Sequence, residues 1–347
     1  MAKVLAGLMI VLLAVSGAAR GEVVRDLYAA TVPVEDRGGA ALTGAAGLAL
    51  AQVLVKVSGS REVLREPSIK EALRNARREV QQYAYLPPAG EDERRRVRME
   101  FDGTAVTELV LAAGVPIWTA NRPAVLVWLV LEGASGKYFA TAETAPQVVS
   151  ALREVFAERG LPLRLPLYDL GDTAAISPQD VWRLDTTALA DASARYDAEH
   201  VVGARLATSA DGAWRGDWAY LDGSQRRDLA IQGSSTRDYL RQGVAAIADR
   251  LAARYAVVAS DSDATNVMVR VSGVEEYADF ATIVSWLQEL EVVQRAAVTR
   301  IAGDRLELLL RARADASDLA TLITLNDRLQ PTTPAITGTA LEYQWLR

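Results

Sequence analysis

Trp214, Trp218 and Tyr220 fall at even spacing in the stretch Ala213–Leu221. Side chains two apart on a strand share a face, so the three rings would line up with Gly216 between them. Such a stripe stacks on sugar rings or anchors a protein partner; the same stripe also fills the space between a sheet and a helix. Arg215, Asp217, Asp211 and Asp222 around the rings fit a hairpin with one wet side under either use. These three residues form the candidate binding face.

Other residues with chemistry to offer have plainer readings. His200 is the single histidine and there is no cysteine. Two-histidine zinc sites, thiol nucleophiles, disulfides and iron–sulfur clusters are therefore excluded. One histidine suffices for a Ser-His-Asp site, and Asp197 and Glu199 precede His200, but no nucleophile motif accompanies it. Ser135-Gly136-Lys137 misses both G-x-S-x-G and S-x-x-K and reads as a strand-exit turn. Gly38-Gly39 with Gly44 and Gly47 lacks the spacing and the Lys-Ser/Thr ending of a phosphate loop. Glu275, Glu276 and Asp279 suit a helix N-terminus. Asp261 and Asp263 lack the glycine and later glutamate of a calcium loop. Arg94-Arg95-Arg96 reads as a solvated strand start or a contact for an acidic partner. No catalytic, metal or cofactor-binding residue is assigned.

The elements that must position these residues alternate. Of 347 residues, half are hydrophobic, which permits a sizeable core and suggests about two domains. The net charge of −6 argues against nucleic acid as a partner. Met1-Ala2-Lys3, the apolar run Val4–Val15 and the small residues Ser16–Gly21 read as a cleaved signal peptide over 1–21, hence a periplasmic chain; an uncleaved inner-membrane anchor is the alternative. No later segment reads as a membrane span.

Leu27–Val34 reads as a strand, Ala40–Val57 as a helix capped by Gly59, Ser68–Tyr83 as a second helix and Arg94–Asp102 as a half-exposed strand. The nearly unbroken apolar run Ala124–Leu131 suits a strand covered on both faces. Helices follow over Thr144–Arg159 and Thr236–Tyr255, with a strand at His200–Ala207 and a hairpin around Asp222-Gly223 between them. The polar break Asp261–Thr265 separates a mixed-sheet α/β domain, 22–260, from a compact β-α-β-β-α-β unit, 264–347, of ferredoxin-like order. That unit runs through a helix Ala316–Leu329 to a final strand near Ala340–Trp345. The fold class is α/β (α+β). Two near-identical heptapeptides, Val53–Gly59 and Val267–Gly273, fall in a helical and a strand context, and no similarity extends beyond them, so they read as coincidence.

The segments LYAATVPVEDRG, ALAQVLVKVSGSREVL, VQQYAYLP, VRMEFD and AGVPIWTANRPAVLVWLVLE resemble the DUF2066 family of exported bacterial proteins of unknown function. The resemblance implies a periplasmic location and transfers no catalytic residue. The expectation is a non-enzymatic protein acting through contact with envelope proteins. The alternatives are a glycan or peptidoglycan-binding module using the aromatic face, and a hydrolase built on scattered carboxylates.

Overall fold

The computed structural model describes residues 21–87, 95–208, 214–223, 225–258, 264–337 and 340–346. Most of the expected leader, Arg94, Asp211, Asp261 and Asp263 lie outside the described residues. The fold is α+β, with mixed sheets.

The first layer holds β1 (Gly21–Val23), β2 (Ala29–Val34), α1 (Gly39–Ser58), α2 (Pro67–Arg74), β3 (Val80–Leu86), β4 (Arg95–Phe101) and α3 (Gly103–Ala112). Its antiparallel sheet runs β2-β4-β3 and its inner face packs on α1. The alternation of β4 sets this up: Val97, Met99 and Phe101 are buried, while Arg96, Arg98 and Glu100 face the other way. α1 is the one described helix long and apolar enough, by length and composition, to cross a membrane, contrary to the sequence reading. Here Leu50, Val53, Leu54 and Val57 form the centre of the first core.

The second layer holds β5 (Asn121–Pro123), β6 (Val125–Gly133), β7 (Gly136–Phe139), α4 (Pro146–Arg159), β8 (Leu163–Arg164), α5 (Leu170–Ala175), α6 (Pro178–Trp182), α7 (Thr186–Ser193), β9 (His200–Thr208), β10 (Trp214–Asp222), β11 (Gln225–Gly233) and α8 (Thr236–Tyr255). The sheet runs β11-β10-β9-β6-β7, with β8 beside β6. β6 is buried on both faces, as its apolar run demands. Val125, Val127 and Leu129 meet α4 and α8; Leu126, Trp128 and Val130 meet α6 and α7.

The third layer holds β12 (Thr265–Ser272), α9 (Tyr277–Gln288), β13 (Val293–Ala302), β14 (Arg305–Ala312), α10 (Ala316–Ile323), β15 (Leu329–Thr337) and β16 (Ala340–Trp345). Its sheet order is β13-β14-β12-β16-β15. This is the expected split βαβ arrangement with one strand added, because β16 inserts parallel beside β12 and β15 takes the outer edge.

Two expected helices are shorter than read. Ser68–Tyr83 ends at Arg74, and VQQYAYL pairs as β3, whose Tyr83 and Tyr85 favour a strand. Ala316–Leu329 ends at Ile323, and β15 carries Pro331 at the sheet edge, where a missing N–H is harmless. The paired heptapeptides are a helix end in α1 and a strand in β12. Their one shared feature is the final glycine: Gly59 and Gly273 both adopt positive φ, 75° and 80°.

Candidate functional site

A cleft of about 1500 Å³ opens between the first and second layers. β2, with the outer face of its sheet, and α1 form one wall; α4, residues 160–165 and α8 form the other. Nine cationic residues line it against four carboxylates, an excess of five positive charges in a chain whose net charge is −6. The cations come from every wall: Arg25, Lys56 and Arg61; Arg96 and Arg98 of β4; Arg153 and Arg159 of α4; Arg237 and Arg241 of α8. Apolar patches lie among them. Leu48 and Val23 remain 58% and 59% exposed there, although α1 otherwise serves a core.

The carboxylates are all engaged. Glu22 holds Arg164 at 2.6 Å, and Asp26 holds Arg98 at 2.8 Å. Glu154 and Glu158 pair with Arg237, and Arg241 lies 3.5 Å from Glu158. The Arg98 hydrogen bond holds the Asp26 carboxyl below its usual range. Among the described residues, Arg25, Arg61 and Arg153 are exposed and have no ion-pair partner.

Below the cleft the cations change character. Lys56 donates to Ala29 O at 2.7 Å and Asp26 O at 3.1 Å, and burial pulls its ammonium down to about 8. Arg122, fully buried, makes five hydrogen bonds, all to backbone carbonyls. Three of these acceptors, Lys56 O, Arg159 O and Gly160 O, sit at the C-terminal ends of α1 and α4, where helix dipoles favour a cation. Its guanidinium also lies over the Trp118 ring, 4.0 Å from the centroid. Glu291 of the third layer accepts from Ala120 N–H at 2.9 Å, and burial raises its carboxyl. One arginine thus joins two layers, and Glu291 docks the third beside it.

The aromatic stripe has the expected alignment and a different surrounding. Trp218 and Tyr220 are buried and Trp214 packs against the same core, because α8 covers that face of β10. Trp218 Nε1–H donates to Tyr239 Oη at 2.8 Å. The rings are therefore core, and the candidate binding face is corrected to a sheet–helix contact.

His200 is also buried, with Nδ1 2.9 Å from Tyr220 Oη, and desolvation depresses its imidazole. Glu199, His200 and Asp222 bring ligand-type atoms within 4.8 Å of one another. Arg254 pairs with both carboxylates and Arg250 approaches Asp222, so positive charge already occupies the place a cation would take. Ser135 lies in the exposed turn between β6 and β7, while Lys137 lies over the Trp182 ring at 4.6 Å rather than activating it. Gly47 lies inside α1, where a Cβ would make only an ordinary contact, 3.5 Å, with Leu73 O. Glu275 and Glu276 precede α9 and Asp279 lies in its first turn. Arg95 is exposed, whereas Arg96 lies in the cleft, 3.7 Å from Glu154.

Sequence reasoning missed the cleft. The period-two pattern of β4 was enough to put Arg96 and Arg98 on one face, but nothing local brings α4 and α8 opposite them.

A family model described as a domain of unknown function, DUF8605, matches residues 22–119. This corrects the resemblance to DUF2066, and the location that DUF2066 implied goes with it. No curated protein matches the chain. The residues matched coincide with the first layer and its core, which spans Leu27 to Ile117. The chain is similar to that family over one wall of the cleft; α4 and α8, the other wall, lie outside the match.

Proposed function

We propose that this chain is a non-enzymatic binding protein of the cell envelope that holds an anionic protein partner in the cleft between its first two layers. The observation that carries the reading is the excess of five positive charges gathered there by an acidic chain. Charge of one sign focused in a cleft raises the local concentration of oppositely charged partners. Arg25, Arg61 and Arg153 are the groups with charge to offer, since the remaining arginines named above have carboxylate or carbonyl partners. The carboxylates of the cleft are bound to arginines, which speaks against the hydrolase reading; the burial of Trp218 and Tyr220 speaks against a glycan face. Envelope location rests on the leader-like residues 1–21.

Titration of poly-L-glutamate into the full-length protein tests this. Binding should weaken steeply between low and physiological salt, as screening shortens the reach of the exposed cations. Salt-independent binding, or none at low salt, would overturn the reading.

A further inference from the structure

The cleft contains an open sheet edge. Phe101 N–H donates to Tyr28 O at 3.0 Å, so the antiparallel alternation turns Ala30, Val32 and Val34 towards β4. Ala29, Thr31 and Pro33 then face away from it. Lys56 on Ala29 O agrees with that direction. The N–H and C=O of Thr31 and the C=O of Pro33 are thereby presented to the cleft, which residues 29–33 line.

An unpaired edge is a template for another strand, and chains usually blunt such edges with proline or lysine. β2 carries both, Pro33 in the strand and Lys56 on its first carbonyl, and this confines pairing to a short run. Charge must then supply the rest of the binding. It is at hand: Arg96 and Arg98 flank the edge on one side and Arg153 stands on the opposite wall.

We propose that the occupant of the cleft is an extended acidic peptide segment of a partner protein, added as a further strand beside β2. This deepens the functional reading above and rests on it. Its main chain bonds to Thr31 and Pro33, its carboxylates meet Arg61 and Arg153, and its apolar side chains cover Leu48. A peptide satisfies the edge groups, whereas an acyl chain lying there would bury them unpaired.

The test uses the full-length protein and an end-blocked ten-residue peptide of alternating glutamate and valine. Two further peptides of the same sequence carry N-methyl groups on the odd or the even amides, leaving charge unchanged. The expected result is slowed hydrogen exchange at the Thr31 amide and about a tenfold loss of affinity for one N-methylated peptide, the scale of two lost hydrogen bonds. Equal affinity of all three peptides without Thr31 protection overturns the strand proposal. If inorganic polyphosphate or dodecyl phosphate vesicles then bind at the cleft, the anionic-cleft reading stands and the peptide is wrong. If neither peptide nor phosphate binds, both fall.

Discussion

Arg122 and the pair Arg61 and Arg153 differ in everything but side chain. Arg122 is fully buried, and its guanidinium spends its hydrogen bonds on five carbonyl oxygens from α1, the 118–119 segment and the end of α4. Arg61 and Arg153 stand exposed at the cleft, without an ion pair among the described residues. A cation whose donors are all satisfied internally has nothing left for a ligand, and its removal leaves acceptors stranded. A cation with no internal partner adds little to stability and keeps its charge for a partner. The contrast separates the arginines that build the cleft from those that use it.

The largest effect should come from breaking the built side. Arg122→Met strands carbonyls at the ends of two helices and should cost about 3–5 kcal/mol, read from the urea unfolding midpoint. Arg122→Lys should not rescue it, since one ammonium cannot replace a five-donor fork. A loss below about 1 kcal/mol would mean that the junction is not held by this side chain.

Lys56 sharpens the same comparison through pH. Its folded value, about 8, lies below the unfolded 10.5, so the unfolded chain binds more protons between those limits. The cost of burying the charged form is complete below pH 8 and disappears as pH rises to 10.5. Relative to Lys56→Met, the native chain should therefore gain stability across that window, by up to ~3 kcal/mol. A difference that stays flat would mean that folding leaves the Lys56 ammonium unshifted, against its burial beneath the cleft.

His200 makes a smaller, acid-side prediction. Its imidazole is depressed, first by desolvation, so the unfolded chain takes up a proton that the native chain refuses. Stability should fall as pH drops below about 6.5, by at most ~1.4 kcal/mol per pH unit for this one group. In His200→Gln that part of the slope should vanish; an unchanged slope would place the acid sensitivity elsewhere.

Much of the fold was legible where a pattern is local. The span Thr236–Tyr255 is α8 to the residue, and its start is marked by the Ser235 cap. β6 was readable as a central strand from its unbroken apolar run. Misreadings came where local preference yields to pairing: Val80–Leu86 has β4 as a partner, and Leu329–Thr337 closes a sheet despite its prolines. The site was less legible. Trp214, Trp218 and Tyr220 gave a correct alignment, but a period-two pattern does not say whether the face it marks is covered, and α8 covers this one. The cleft joins Arg61 to Arg153 and Arg237, and no spacing in the chain announces that meeting.

The most direct measurement is poly-L-glutamate binding by the double charge reversal Arg61→Glu/Arg153→Glu at low salt, alongside its urea midpoint. The account predicts at least a tenfold loss of affinity with stability changed by no more than about 0.5 kcal/mol. Unchanged affinity would contradict it, because the exposed cations would then carry no binding. Unfolding on reversal would contradict it from the other side, making these arginines part of what holds the molecule together.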